Sequence, residues 1–446
     1  LLAFATALLL ITLVSPQPWV SFTGLPSRGA GALTYLLCLG LLHVVYGMAQ
    51  RRSTEPLAWA FVAAHVLVVL YGLLQAYGLD PISWGFDARF VGVQVFSTLG
   101  NGNFSSGYVG FTLPLLIWMA FGSPYPEVVR VAAGATVGAS VIALTYFNSF
   151  QGQVVALVAC TVLFQWAMSR DHGDRFVAVL VVMPVAFVVV GLPFVLIAPG
   201  GLLLLATMAG LAACAGFGVL HDRKRANKTS GDPEKPVGRW LWPTAIAGIV
   251  AGGSLGVLFR DRIAAELGSG LEQRIEFWKA SLSMFRERPL TGMGLETYST
   301  YFASHRSVEH AVQWESLLVD SPHSVPFGIL SGGGLVLAAT YLASFMVIGY
   351  FGVLAVREAK GQLRLFYGAV LTSWVAYHVQ ASVSMDVPGL IYAQWILGGI
   401  LVAGGASVSQ TVLELPWKPR NRRSRRGDGV QGVRRTVAVV GLVIFF

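Results

Sequence analysis

The sequence predicts an all-α fold, a polytopic transmembrane helix bundle of about 12 complete spans plus the start of another, with one large extracytoplasmic loop containing interfacial helices. Three observations predict it. Of 446 residues, 55% are hydrophobic and only 12% charged, with a mean hydropathy of +0.65; a soluble chain of this length carries about twice that charged fraction. Apolar runs recur at close to the roughly 20 residues that a helix needs to cross hydrocarbon. Lys and Arg gather in alternate connections, the asymmetry that fixes orientation in a bilayer.

In chain order the runs fall at about 1–17, 29–49, 57–77, 106–122, 129–148, 152–168, 176–197, 202–220, 240–258, 324–351, 366–383 and 389–408. A further apolar run, 436–446, has eleven residues, too few to span, and the chain opens on Leu1 already within an apolar stretch. The sequence therefore reads as a fragment cut at both ends. A signal-peptide core is the alternative for the first run, but no small-residue cleavage site follows it, and the parity of the remaining runs requires a span there. Between Phe176 and Leu220 the apolarity is nearly continuous, and the turn residues Ala198 to Gly201 divide it into two spans.

If the first run starts in the cytoplasm, 22 of the 31 Lys and Arg residues lie in cytoplasmic connections and nine on the other side. The net charge of +9 is thus mostly a topology signal. The basic cluster from Lys418 to Arg435 belongs on anionic headgroups rather than on nucleic acid. The domain reading follows: spans 1–9 over 1–258, with an outward re-entrant segment at 78–105; the large outward loop at 259–322; spans 10–12 over 323–408; a basic cytoplasmic loop at 409–435; and a truncated span at 436–446. Cys38, Cys160 and Cys214 all fall in predicted spans, far apart in sequence, and imply neither a disulfide framework nor a metal site.

Outward chemistry must come mainly from the two long segments. In the large loop, Leu271, Ile275, Trp278, Leu282 and Phe285 recur at helical spacing and predict an interfacial helix over 271–289 lying flat on the bilayer. Arg274 falls at the edge of that stripe, one turn before Trp278. A planar, always-charged fork at headgroup depth can grip a lipid-linked phosphate through two hydrogen bonds; a snorkelling membrane anchor is the competing reading. Tyr298, Tyr301, Phe302 and Arg306 follow, as binding residues or as a plain aromatic belt. Asp320 precedes His323 by three residues, with Pro322 between, so a carboxylate could fix the tautomer of a proton-accepting imidazole; a structural interfacial histidine is the alternative. The glycines Gly332 to Gly334 then permit close helix packing. In the other segment, Gly100, Gly102 and Gly107 allow close backbone approach, and Asn101 and Asn103 bring amides suited to sugar hydroxyls and phosphates. Outward carboxylates such as Asp261, Glu266, Glu296 and Asp320 are scattered, which predicts no divalent metal site.

Taken in order, "STLGNGNFSSGY", "NSFQGQVVAL", "RIEFWKASLSMFRERPLTGMGLETYSTYF", "DSPHSVPFGILSGGGL" and "DVPGLIYAQWILGG" resemble the O-antigen ligase and polymerase superfamily of bacterial membrane glycosyltransferases, over roughly residues 90–408. The resemblance implies transfer of glycan from an undecaprenyl-diphosphate-linked donor to the hydroxyl of a lipid or glycan acceptor. It places the reaction at the outer face of the bacterial cytoplasmic membrane, inverting and without metal or cofactor. It also implies that Arg274 and His323 are the family's loop arginine and loop-exit histidine, with Arg306 a further cation. Gln94 and Gln151 stand where many members carry arginine, which leaves Arg89 or Arg306 to strengthen the grip on diphosphate, with Gln151, Trp278 and Tyr298 as further substrate contacts. A transporter or flippase of lipid-linked sugars is the second hypothesis. Ionisable groups at mid-membrane would favour it, and the candidates there are His43, His65 and His378.

Overall fold

A computed structural model describes residues 1–84, 95–147, 149, 151, 152, 155, 156, 260–315, 317 and 319–408; for Phe121, residues 260–271 and Val408 it describes the backbone alone. The chain divides into Leu1–Val408 and Ser409–Phe446, the second of which lies outside the described residues. The same holds for the predicted spans between 157 and 258, the basic cytoplasmic cluster, and Arg89 and Gln94.

Every regular element among the described residues is helical: α1 Leu2–Val14, α2 Pro18–Thr23, α3 Ala32–Ala49, α4 Glu55–Ala76, α5 Gly102–Ile117, α6 Glu127–Tyr146, α7 Arg260–Glu287, α8 Tyr298–His305, α9 Val308–Gln313, α10 Val325–Glu358, α11 Gly361–Ser382 and α12 Pro388–Val408. Five of them, α3, α4, α6, α10 and α12, are long and apolar enough to cross a membrane. The first predicted span is shorter than its apolar run. Pro16 and Pro18 end α1 after 13 residues, about 20 Å of helix, and a separate turn of helix, α2, follows. α5 carries Pro114 inside it and ends in a π-helical turn, Trp118–Gly122. α11 is enclosed: it packs on α5, α10 and α12, with Trp374 and Tyr377 fully buried.

The connections sort into two ends. At one, Arg28 bonds Glu296, Arg28 and Ser321 each reach the Met385 sulfur at 3.7 Å, and Gly389 packs on Leu99. At the other, Tyr125 donates to the Glu55 carboxylate and accepts from Trp59 Nε1 at 2.9 Å. Arg51, Arg52 and Arg130 flank the short connections at this second end.

Two histidines of the spans serve packing. His65, fully buried in α4, bonds Thr112 Oγ1 of α5 and Ser140 Oγ of α6, each at 2.7 Å, and so joins three helices. His378 stands among Phe345, Trp374 and Tyr377, with ring centroids at 4.7, 4.5 and 5.4 Å. His43 is exposed on α3.

The glycines expected to let α10 pack closely instead interrupt it. Gly334, at φ 60° and ψ −162°, is non-helical within α10, a conformation essentially confined to glycine. The loop 289–294 enters the break. The Met293 and Gly294 N–H groups donate to the Ser331 and Gly332 carbonyls at 2.9 and 2.8 Å, and those of Leu335 and Val336 donate to the Pro289 and Leu290 carbonyls at 2.8 and 3.3 Å. Backbone groups freed by the break are thus bonded by the loop, which is how irregular backbone survives inside a membrane protein. A Cβ on Gly292, at φ +64°, would lie 2.5 Å from the Gly332 carbonyl carbon, so the fit requires glycine on both sides.

Candidate active site

The clasp between loop 289–294 and α10 sets α7 against the start of α10, and the α7 face turned inward differs from the predicted stripe. Phe277, Ala280, Ser281 and Met284 are buried at i, i+3, i+4 and i+7, whereas Ile275 is 39% exposed and Trp278, Leu282 and Phe285 are half-buried. The sequence stripe is the flank of the helix, and the face packed on the protein is rotated by one position. The small residues Ala280 and Ser281 carry the close contact, and their low hydrophobicity hides that face from a periodicity count. The Leu271 side chain lies outside the described atoms.

Arg274 stands one turn before Phe277 and Trp278 and on their side of the helix. Its guanidinium is half-buried, has no hydrogen bond or ion pair to any described residue, and burial lowers its pKa. Phe277 lies against the His323 ring at a centroid distance of 5.5 Å, and Trp278 donates its indole N–H to the Pro322 carbonyl at 3.1 Å while stacking on Phe327. Two consecutive residues of α7 therefore contact the short segment that carries His323 and the start of α10.

His323 has a positive φ of 50°, which only a few per cent of non-glycine residues adopt. Its Nδ1 lies 3.1 Å from the Ser321 carbonyl oxygen. A carbonyl only accepts, so Nδ1 carries the proton and Nε2 presents its lone pair. Burial lowers the His323 pKa, and the charges of Arg274 and Arg28 push the same way, against the Ser321 bond and the Asp320 charge. The expected Asp320–His323 hydrogen bond does not form. The intervening Ser321–Pro322 peptide brings the Ser321 carbonyl back to the ring, and the Asp320 carboxylate turns to Arg28, 3.9 Å from Nη1. The carboxylate acts on the imidazole through charge alone.

Arg28, in the α2–α3 connection, had no assigned role. It forms a buried ion pair with Glu296, both its Nε and Nη2 donating to that carboxylate, with the two side chains 9% and 7% exposed. Burial opposes the Arg28 charge, but Glu296 and Asp320 outweigh it and raise its pKa. Glu296 also has a positive φ, 60°. Beside the pair opens a small cleft of about 50 Å³, lined by the ends of α2–α3, α7, α10 and the turn before α12. Asp386 closes it, accepting from Tyr377 and Tyr35 at 2.5 and 2.7 Å; burial raises the Asp386 pKa against these bonds. The one signal for Arg28 in the sequence is that it and Arg89 are the outward cations beyond the large loop.

The other predicted contacts are dispersed. Tyr298 is buried and donates to the Phe277 carbonyl at 2.9 Å, pinning α8 to α7, though its side also lines the cleft. Arg306 donates to the Trp314 carbonyl at 3.2 Å. Asn101 is the N-cap of α5, its side chain accepting from the Asn103 N–H at 2.8 Å, and Asn103 is exposed. Of the nearby glycines only Gly100 has a positive φ; Gly107 is helical, and a Cβ there would meet Gln380 of α11. The described parts of the predicted re-entrant segment, 78–84 and 95–105, include a 3₁₀ turn, Ser97–Leu99, bound to α4 through Ser97 and Gln75, and Asp80, bonded to Tyr71 and Gln75. Gln151 is buried, and neither of its amide atoms has a hydrogen-bond partner among the described residues. Among the described residues no bond or ring contact joins Gln151, Asn101 or Asn103 to His323. His310, which the sequence did not mark, lies buried between Phe277, Phe302 and Trp314 with both ring nitrogens unbonded, and burial and Arg306 lower its pKa. Among the described residues no group of three His, Cys, Asp or Glu side chains could hold a metal ion.

A family model described as O-antigen ligase matches residues 135–342. The match bears out the resemblance read from the sequence, over a narrower stretch that holds the Gln151, Arg274 and His323 segments and leaves out those of Asn101 and Asp386. No curated protein matches the chain.

Proposed function

From the premise that residues 135–342 carry the O-antigen ligase pattern of surface-polysaccharide assembly, and that the apolar helices make this a bacterial integral membrane protein, we propose a glycosyl transfer reaction at the His323 end of the bundle. Glycan moves from an undecaprenyl-diphosphate-linked donor to an acceptor hydroxyl at the outer face of the cytoplasmic membrane, by ligation or polymerisation. One observation carries this reading. The half-buried Arg274 guanidinium, without a partner among the described residues, shares an α7 face with the two side chains that contact Pro322 and His323, whose Nε2 likewise has no hydrogen-bond partner among the described residues.

A cation and a base so placed divide the chemistry. His323 Nε2 takes the proton of the acceptor hydroxyl as its oxygen attacks the anomeric carbon. The bond from that carbon to the diphosphate oxygen breaks, with inversion at carbon, and the diphosphate leaves with the bonding electrons. Arg274 meets the negative charge that grows on the leaving oxygens, where a fixed cation in a poorly hydrated site stabilises most. A neutral His323 with its pKa lowered by burial is in the form that accepts a proton.

The test is mass spectrometry of the cell-surface glycan with and without the gene, followed by transfer by the purified protein in the presence of EDTA. The reading expects loss of glycan attachment or of chain length, and transfer insensitive to chelation. An unchanged surface glycan would refute it.

A further inference from the structure

We propose that a pocket at the end of the bundle opposite His323 is a binding site for an anionic phospholipid of the membrane leaflet at that end. The pocket lies between the C-terminal parts of α3 and α12, the first two turns of α11, and the α3–α4 and α5–α6 connections, and it encloses about 440 Å³. Small-molecule sites run to roughly 300–1,000 Å³. None of its residues enters the transfer chemistry, so the site stands apart from that reading.

The first observation is a donor without an acceptor. Trp118, in the π-helical turn that ends α5, lines the pocket and is 3% exposed, and its indole N–H has no hydrogen-bond partner among the described residues. Tyr125 and Phe366 hold its ring edge-on, at centroid distances of 5.8 and 5.1 Å, so the packing that fixes the indole supplies no acceptor. A buried indole N–H ordinarily has one. A phosphate or ester oxygen in the pocket completes it.

The second is charge. Arg52 lines the same pocket and is exposed, and its guanidinium has no hydrogen bond or ion pair to any described residue; Arg51 stands beside it. Glu55 is the one carboxylate among the lining residues, and the Tyr125 hydroxyl donates to it. The cation can therefore turn to a phosphate, which a guanidinium grips through paired hydrogen bonds.

The third is how the lining is divided. Gln50, Ser53 and Gln362 belong to the connections and helix ends, whereas Phe366, Ile400 and Ala403 lie deeper along α11 and α12. Leu363, 52% exposed, carries the apolar wall to the outside of the bundle. A free anion gains nothing from such a wall. A glycerophospholipid sets its headgroup against the polar part and its acyl carbons against the apolar part, and the basic connections at this end favour an anionic one.

The experiment is native mass spectrometry of the purified full chain, delipidated and then supplied with phosphatidylglycerol, phosphatidylcholine, undecaprenyl phosphate or inorganic phosphate. Phosphatidylglycerol should be retained in preference to phosphatidylcholine. Trp118→Phe keeps a ring between Tyr125 and Phe366 but removes the N–H, and should weaken retention roughly three- to tenfold. Arg52→Gln should weaken phosphatidylglycerol about fivefold, and phosphatidylcholine less. Ser407→Trp, at the end of α12, should obstruct the pocket and abolish retention. Arg52 and Ser407 are exposed, so these two variants test the site even if Trp118→Phe fails to fold. Equal retention of the two phospholipids overturns the site, as does phosphatidylglycerol binding that survives both Arg52→Gln and Ser407→Trp. Tighter retention of undecaprenyl phosphate, or competition by inorganic phosphate, would give the pocket to another ligand and overturn it too.

Discussion

The indole N–H of Trp278 donates to the carbonyl oxygen of Pro322 across 3.1 Å, and this single bond ties α7 to the residue immediately before His323. The neighbouring Phe277 ring rests against the imidazole itself. Any shift of α7 must therefore be felt at His323.

If His323 takes the acceptor proton, His323→Ala removes a proton-transfer contribution worth roughly 10²- to 10⁴-fold in turnover. Binding of undecaprenyl diphosphate should persist, because Arg274 remains. Turnover at the wild-type rate would end the case for His323.

Arg274→Ala should weaken both donor binding and turnover, and Arg274→Lys should restore little of either, since an ammonium cannot offer two parallel hydrogen bonds. Full activity in Arg274→Lys would return Arg274 to the role of a membrane anchor. Kinetics and binding measured on the same preparations separate the two cases.

The pH profile follows from the burial of His323, which lowers its pKa. The neutral, proton-accepting form then persists below the ordinary imidazole pKa of about 6.5, so the acid limb of kcat/KM should fall below that value. The stability sign agrees. A depressed pKa means that the unfolded chain binds the proton more readily, so stability is present above about pH 6.5 and declines as the pH falls towards the folded value. An acid limb above 6.5 would contradict the burial argument.

Asp320→Asn should have a small effect, about fivefold at most. Its side chain is 44% exposed and lies 3.9 Å from Arg28, and a solvent-exposed carboxylate at that distance contributes little. A loss approaching that of His323→Ala would show that the carboxylate moves onto the imidazole when substrate binds.

What the sequence revealed and what it hid divide along one line, the distance over which a residue finds its partner. Arg274 and His323 could be marked because helical spacing and a loop-to-span boundary are local patterns. The Arg28–Glu296 pair joins residues 268 apart, and no local pattern announces it. Asp320 misled for the opposite reason: it is near His323 in sequence, but the Ser321 carbonyl is nearer in space. Glu296 and His323 share a positive φ that composition does not encode. Asn101 carried the right residue type for binding, and the same chemistry made it a helix cap.

Gly334→Ala should destabilise the protein by more than the roughly 1–3 kcal/mol of a strained backbone alone, because a Cβ there would also run into the Leu290 carbonyl group. Thermal unfolding in detergent measures this. A variant as stable as the wild type would mean that the interruption of α10 is dispensable.

That interruption also constrains how the chain can be assembled. A span that enters lipid alone must bond its whole backbone internally, and α10 cannot do so, since the Leu335 and Val336 N–H groups and the Ser331 and Gly332 carbonyls are bonded by residues 289–294. The loop precedes the span in the chain, so it is available to close on the span as the span arrives. Insertion of α10 and docking of loop 289–294 are coupled, and His323, the proposed base, eleven residues before Gly334 in that same span entrance, comes into place with them.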